Sequence, residues 1–225
     1  MNWKALATTM VLCGGLASRA GAGVIVESSG NSEASVPLGY YAPYGTATVY
    51  AVSWSQTSSY TNVDVFANLF NPGGGGTVDY ALTTAIGPDT SFAQDGIVEG
   101  SVSTPANPTD VELFQLPELG PGQYFLMLDS PTADASWQYN FPFQLNLTSA
   151  PGVTFQGSDE AQFSNIDNAY APGSTFSGIG FGVEFEVTGA AVSTPEPRYD
   201  AAIGVVLLAL AGLLRKPRWR VRARP

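Results

Sequence analysis

Carboxylates dominate the chemistry available to the long central part of this chain. Residues 20–197 contain eighteen Asp and Glu side chains and no Lys, Arg, His or Cys. A Ser-His-Asp set, a Cys-His pair, a zinc site built from His and Cys, and a cationic clamp for an oxyanion are therefore all excluded. What remains is chemistry that two carboxylates can perform together, as in glycoside hydrolysis.

Three carboxylate pairs are candidates for such a hydrolase: Asp159 with Glu160, Asp129 with Asp134, and Glu184 with Glu186. The last pair falls on one face of a predicted strand, about 7 Å apart from the rise per residue. The simpler interpretation is that these carboxylates are solvent-facing charges on amphipathic strands. We therefore expect a protein that is not an enzyme, with a carboxylate-based glycoside hydrolase as the weaker alternative.

No cofactor is expected, and calcium is the one that this composition would permit, because Ca²⁺ binds through oxygen ligands alone. Asp159, Glu160 and Asp167 fall in a predicted loop, together with Asn165 and Asn168. Their spacing does not match an EF-hand loop. The leading interpretation is that dispersed carboxylates only keep the domain soluble, and these three acidic residues are the candidate ligands of the alternative, a calcium site.

Aromatic side chains suggest a second kind of site, a platform on which a sugar ring could stack. Trp54 and Trp137 lie near predicted strand ends, and four tyrosines lie in predicted loops: Tyr40, Tyr41, Tyr44 and Tyr60. The two tryptophans are the candidate sugar contacts. The leading interpretation of such aromatics is nevertheless that they pack in the core or in turns.

Charge is strongly segregated along the sequence. All nine basic residues lie in the first nineteen or the last twenty-eight positions, although the net charge of the whole chain is -10. The central part therefore repels phosphate backbones, which excludes nucleic acid as its partner.

Period-two alternation of apolar and polar residues predicts an all-β central domain. Trp137, Tyr139, Phe141 and Phe143 begin a run that continues to Leu147, with Pro142 indicating an edge or a bulge. A second alternating run covers residues 181–188. Further strands are predicted at residues 46–54, 111–116 and, as an edge strand, 23–27. Residues 123–128 are apolar at nearly every position, which predicts a central strand covered on both faces.

Turn-forming residues indicate how these strands connect. Residues 71–76, Asn-Pro-Gly-Gly-Gly-Gly, predict a hairpin between strands at 61–70 and 77–86. Residues 87–110 and 149–174 are predicted to be long loops. The architecture that this favours is a single antiparallel β-sandwich at 23–188, a jelly roll being one form of it.

The N-terminus has the organisation of a secretory signal peptide. Lys4 precedes an uncharged run at residues 5–17, and Ala20-Gly21-Ala22 is an A-x-A-like cleavage site. We predict a signal helix within residues 1–22, and the alternative is a buried first helix. Cys13 is preceded by Leu12 rather than by a small residue, which argues against a lipidated cysteine.

The C-terminus has three parts in a fixed order. A linker at 189–200 contains Pro195-Glu196-Pro197, an uncharged run at 201–214 follows, and a basic tail occupies 215–225. Fourteen residues span about 21 Å as a helix, which makes the run a short transmembrane helix. Basic residues beside a span stay in the cytoplasm, so the acidic domain is predicted to lie outside. The six basic residues that would retain the tail are Arg215, Lys216, Arg218, Arg220, Arg222 and Arg224.

This C-terminal arrangement resembles the PEP-CTERM sorting signal of bacterial envelope proteins. The resemblance covers residues 194–224 and rests on Pro195, Glu196 and Pro197, the apolar run and the Arg-rich end. It departs from the family in Arg198, where a small or hydroxyl residue is common, and in its short span. Residues 52–63, 83–87 and 120–126 also look like β-sandwich ectodomains of unassigned role that carry such tails.

The resemblance implies processing by an exosortase-type membrane enzyme after export through the secretion machinery, and it commonly accompanies exopolysaccharide production. We expect an exported protein, anchored at least transiently in the inner membrane and then placed at the cell surface or in the extracellular matrix. A non-enzymatic structural or adhesive role is the leading hypothesis. The alternatives are a carbohydrate-binding module for exopolysaccharide and a plain single-pass anchor.

Overall fold

The computed structural model describes residues 22–30, 34–41, 46–131, 135–139, 146–161, 166, 170, 175–179 and 182–192. Strands account for most of these residues, and the helix among them, α1 (Phe92–Asp95), has four residues. In chain order the strands are β1 (Gly23–Ser29), β2 (Ser35–Pro37), β3 (Gly39–Tyr41), β4 (Thr46–Gln56), β5 (Tyr60–Phe70), β6 (Thr77–Thr83), β7 (Gly96–Ser103), β8 (Thr109–Leu119), β9 (Gly122–Asp129), β10 (Ser136–Gln138), β11 (Asn146–Ser149), β12 (Val153–Ala161), β13 (Ser177–Gly178) and β14 (Phe185–Ala191). The predicted all-β class is confirmed.

These strands form two antiparallel sheets. The first sheet has the order β11-β1-β14-β5-β10-β2, with β8 also paired to β5. The second sheet has the order β13-β12-β4-β9-β6-β7, with β3 paired to β4. Neighbours in a sheet are mostly distant in sequence, so the pairing of strands is set by long-range contacts.

One apolar core joins the inner faces of the two sheets. Val65 and Phe185 come from the first sheet, Trp54 and Leu126 from the second, and all four are buried in the same cluster. The rings of Trp54 and Phe185 meet across the layers with their centroids 6.0 Å apart. Burying each large apolar side chain contributes about 1.5–3 kcal/mol, so this shared interior stabilises the sandwich-like pairing of the sheets.

The second sheet also has an apolar outer face. Val49, Ala51, Ala81 and Met127 are buried there, with Phe92 of α1 among the side chains packed against them. Strands β4 and β9 therefore bury both of their faces. For residues 123–128 this confirms the prediction of a central strand covered on both sides, because such strands are apolar at nearly every position.

The predicted hairpin around residues 71–76 is wrong, although both of its strands exist. Strand β5 belongs to the first sheet and β6 to the second, so the connection is an arch between layers. Asn71 shapes this arch: its Oδ1 accepts a hydrogen bond from the Gly73 amide at 2.9 Å, and its Nδ2 donates to the Gly75 carbonyl. Gly74, Gly75 and Gly76 all have positive φ, so the glycine run suits a tight inter-sheet arch as well as a hairpin.

Both predicted long loops contain a strand. Strand β7 lies within 87–110 and forms an edge of the second sheet, where its residues alternate between exposed and half-buried. Strand β12 lies within 149–174 and pairs with β4, with a bulge between Phe155 and Gly157. Glycine lowers strand propensity and the bulge breaks the alternation, so neither strand gives a clear period-two signal.

Strands β1, β14 and β10 also differ from the prediction in their pairing or their extent. Strand β1 is paired on both sides, to β11 and β14, and is therefore not an edge strand. Strand β14 continues to Ala191, three residues beyond the predicted end of the domain. The run predicted from Trp137 to Leu147 is divided between β10 and β11, with residues 140–145 outside the described part.

None of the helical residues that the structure describes belongs to an apolar segment of membrane-spanning length. The predicted signal helix within 1–22, the transmembrane helix at 201–214 and the basic tail at 215–225 fall outside the described residues, apart from Ala22. These three segments stay predictions.

Candidate functional site

The two tryptophans chosen as sugar contacts are core residues. Trp54 and Trp137 are both 0% exposed. A sugar ring stacks on an open aromatic face, and neither indole offers one, so this assignment is corrected in favour of core packing. The alternation placed Trp137 on an apolar face correctly, but it could not distinguish a covered face from an open one.

Each buried indole is satisfied by a polar partner from the protein. Trp54 Nε1 donates to Gln56 Oε1 at 3.2 Å, and Trp137 Nε1 donates to the main-chain oxygen of Glu184 at 2.7 Å. Gln56 in turn donates from Nε2 to the carbonyl of Gly120 at 2.7 Å. These bonds are what permits two polar N–H groups to sit inside an apolar core.

The predicted calcium ligands Asp159 and Glu160 point to opposite faces of the second sheet. Asp159 lies opposite Ala51, which is buried on the outer face, whereas Glu160 lies opposite Tyr50, which belongs to the inner core. Adjacent strand residues always diverge in this way. The pair therefore cannot chelate one ion or act as an acid-base couple, and the prediction that they share a site is wrong.

The structure gives Glu160 a different role. The Tyr50 hydroxyl hydrogen-bonds to the Glu160 side chain, and burial together with that neighbouring charge raises the pKa of Tyr50. Asp167, the third predicted ligand, lies outside the described residues, as does Asp134. Within the described ranges no group of three or more Asp, Glu, His or Cys side chains is placed to hold a metal ion. The sorting motif Pro195, Glu196 and Pro197 also lies outside those ranges.

Carboxylates gather on the outer face of the first sheet, which sequence reasoning did not identify. We call this surface the acidic face, and its members come from four strands and from the residue that precedes β14: Glu27, Asp64, Asp110, Glu112, Glu184 and Glu186. The core side of β5 is formed by Val63, Val65, Ala67 and Leu69. Asp64, Phe66 and Asn68 alternate with these core residues. They therefore face outward, as do the residues directly opposite them on the neighbouring strands.

Register brings the charges of the acidic face into rows. Glu27 lies directly opposite Glu186, which lies opposite Phe66, which in turn lies opposite Glu112. Like charges directly opposite each other on neighbouring strands are destabilising. Burial, Glu27 and Asp110 all raise the pKa of Glu186, in that order of size. Because residues 20–197 carry no basic side chain, nothing in this part of the chain neutralises the rows.

Glu184 occupies the most buried position on the acidic face. It is 9% exposed, although the notion of a solvent-facing pair would place it in water beside Glu186. Burial, with a further contribution from the charge of Asp110, raises the pKa of Glu184 to about 7. Glu184 and Glu186 do share a face, as the alternation predicted, but they differ in their surroundings.

A second carboxylate pair lies on the second sheet. Asp79 on β6 is directly opposite Asp129 on β9, and Asp129 is 2% exposed. Burial raises the pKa of Asp129 to about 6; the Ser130 amide, which donates to its Oδ1 at 2.8 Å, opposes this rise, and Asp79 adds to it. The sequence had paired Asp129 with Asp134, because sequence distance was the only guide to proximity.

Comparison with known proteins finds no match to a described protein family, to a curated protein or to a solved structure.

Proposed function

We propose that this chain is an exported protein of the bacterial envelope, sorted by its PEP-CTERM-like tail and carrying a non-enzymatic β-sandwich body outside the inner membrane. The observation that carries the proposal is the segregation of charge. The folded body has acidic surfaces and no basic residue between positions 20 and 197, whereas six basic residues lie in positions 215–225. A body of this kind crosses a membrane outward, while a basic segment beside a span is retained inside.

The partners follow from the two ends. The secretion machinery would accept residues 1–22, an exosortase-type enzyme would act at Pro195, Glu196 and Pro197, and anionic lipid headgroups would hold the basic tail. The body would then be left at the cell surface or in the extracellular matrix, where exopolysaccharide is the candidate partner. A structural or adhesive role fits a body built almost entirely from paired strands.

The burial of Trp54 and Trp137 removes the main support for a dedicated carbohydrate-binding module. The divergence of Asp159 and Glu160 removes one of the three pairs proposed for a hydrolase. Glu184 and Glu186 share a face, but Glu184 is only 9% exposed, so the pair does not present two open carboxylates to a substrate. The structural or adhesive role is therefore the function we propose.

The test is to express the full chain in a host with an exosortase system, fractionate the cells, and read both mature termini by mass spectrometry. Digestion should use a protease that cleaves after Glu, because trypsin has no cleavage site between Arg19 and Arg198. We expect loss of residues up to Ala20 or Ala22, an envelope location, and a tail that is processed in the host.

Replacing Pro195, Glu196 and Pro197 together with alanine should abolish tail processing without changing signal-peptide removal. Glu118→Ala, an exposed carboxylate of β8, is the matched control and should be processed normally. Recovery of the intact chain in the cytosol, with its start methionine and no membrane association, would overturn the proposal.

A further inference from the structure

Three chain segments meet at Asn68 on the acidic face. Strand β5 pairs with β14 up to the Ala67–Phe185 pair and with β10 from the Leu69–Trp137 pair onward. Where β5 changes partner, Glu184 lies between Asn68 and Gln138. The main-chain N–H of Asn68 donates to the main-chain oxygen of Glu184 at 3.1 Å, and the main-chain N–H of Glu184 donates to the main-chain oxygen of Gln138 at 2.8 Å.

On the other side of β5, Asn68 lies opposite Asp110 of β8. Directly opposite residues in antiparallel strands share a face. Gln138, Glu184, Asn68 and Asp110 therefore project from the same face of the sheet, side by side. We call these four residues the polar junction.

Three buried oxygen atoms of the polar junction have no hydrogen-bond partner. They are Gln138 Oε1, Glu184 Oε1 and Asn68 Oδ1, as far as the described residues show. Gln138 is 3% exposed and Glu184 is 9% exposed, so water reaches little of either. Asn68 Nδ2 donates to Asp110 Oδ1 at 3.0 Å, which turns the Asn68 oxygen away from Asp110.

Such an arrangement is unfavourable without a ligand. Each buried polar atom left without a partner costs about 1–3 kcal/mol, and a buried charge costs more. No Lys, Arg or His exists between residues 20 and 197 to supply a positive charge to these oxygens. The raised pKa of Glu184 has the same origin, because burial and Asp110 both disfavour its charged form.

We propose that the polar junction binds a divalent cation, with Ca²⁺ as the ion that its chemistry suits. Ca²⁺ takes carboxylate and amide oxygens in flexible geometry and completes its shell with water. Glu184, Gln138 and Asn68 would supply the ligands and Asp110 a second negative charge beside them, which is a weaker set than a dedicated calcium loop. We therefore expect a dissociation constant on the order of 0.1–1 mM, as in extracellular calcium modules.

The test uses the full chain, solubilised in detergent and freed of metal by chelation. Ca²⁺ binding is measured by calorimetry. Tb³⁺ is used as a luminescent substitute for Ca²⁺, sensitised by Trp137, whose indole is hydrogen-bonded to Glu184. We expect one site, Tb³⁺ emission that Ca²⁺ displaces, and at least tenfold weaker binding in Glu184→Gln and Asp110→Asn.

Glu186→Gln is the matched control, because it removes the same charge from the same face two residues along β14. Its affinity should stay within twofold of the parent protein. Gln138→Glu adds a third carboxylate to the junction and should tighten binding, which keeps the test informative if Glu184→Gln fails to fold.

Two results would overturn the proposal. If Glu186→Gln weakens binding as much as Glu184→Gln, the ions are held diffusely by the acidic face. If the parent protein binds neither ion while Glu184 titrates near neutral pH, the junction holds a proton or water instead of a cation.

Discussion

Asp79 and Asp129 lie directly opposite each other on paired strands, with Asp129 almost completely buried. Burial raises the pKa of Asp129 to about 6, whereas an unfolded Asp titrates near 3.8. The folded protein therefore binds the proton of the Asp129 carboxyl group more tightly than the unfolded chain does. The stability that this protonation contributes is complete below pH 3.8 and is lost as the pH rises through about 6.

Asp129→Asn should remove that loss. At pH 7.5 we expect the free energy of unfolding to rise by about 1–2 kcal/mol, because the amide keeps the acceptor for the Ser130 N–H and can donate to Asp79. The measurement is urea unfolding between pH 4 and 8. Glu118→Gln, which removes an exposed charge, should leave the pH profile unchanged, and an identical gain in both variants would mean that only net charge matters.

Gln56 is predicted to be one of the most sensitive polar residues of the core. Its side chain is 4% exposed, accepts from Trp54 Nε1, and donates to the carbonyls of Ser58, Leu119 and Gly120. Gln56→Ala should lower the free energy of unfolding by about 3 kcal/mol, since several buried groups lose their partner at once.

Gln123→Ala is the control for that experiment. Gln123 is an exposed residue of β9, and its Nε2 donates to Gln156 Oε1 at 2.9 Å. Its loss should cost about 0.5 kcal/mol or less. Equal effects of the two substitutions would contradict a special role for Gln56.

Gly39 and Gly75 distinguish two reasons why a position requires glycine, a positive φ angle and the lack of room for a Cβ atom. Their φ angles are 78° and 74°, so alanine is strained at both positions. A Cβ at Gly39 would also overlap the Ser130 main-chain oxygen, whereas nothing lies within 4 Å of a Cβ at Gly75. Gly75→Ala should cost about 1 kcal/mol. Gly39→Ala should cost at least twice as much in thermal or urea unfolding, and a smaller cost at Gly39 would refute the close approach.

The arch between β5 and β6 should depend on Asn71. Its side chain closes the turn, and its main-chain N–H donates to the Pro105 carbonyl at 2.7 Å. Asn71→Ala should lower the free energy of unfolding by about 1–3 kcal/mol, because a 5% exposed side chain loses both of its bonds. Asn107→Ala, at an exposed position in the β7–β8 connection, should change stability by no more than about 0.5 kcal/mol in the same assay.

Strand content was predictable wherever one face of a strand is covered. The alternation through Val183, Phe185 and Val187 identified β14, and the continuous apolar run ending at Leu128 identified β9. Strands β7 and β12 were missed because Gly96, Gly100 and Gly157 interrupt their pattern. Pairing was not predictable, because Asn-Pro-Gly sequences make tight turns within a sheet and arches between sheets with the same residues.

The candidate site was harder to predict than the strands. Asp110 and Glu184 are separated by more than seventy positions in sequence, and only the register of β8, β5 and β14 brings them together. Trp137 and Trp54 were misjudged because alternation cannot say whether a second sheet covers a face. Carboxylates spaced by two, such as Asp110 with Glu112 and Glu184 with Glu186, were the one signal of the acidic face.

The pairing of β1 with β14 has a consequence for the order of events in synthesis. The first strand of the body finds its partner in the last one, with Glu27 opposite Glu186. A ribosome must therefore release nearly the whole body before the first sheet can close, and long-range pairing of this kind is slow. For the export that we propose, a chain that stays open until its end has emerged would still be narrow enough to pass through a translocation channel.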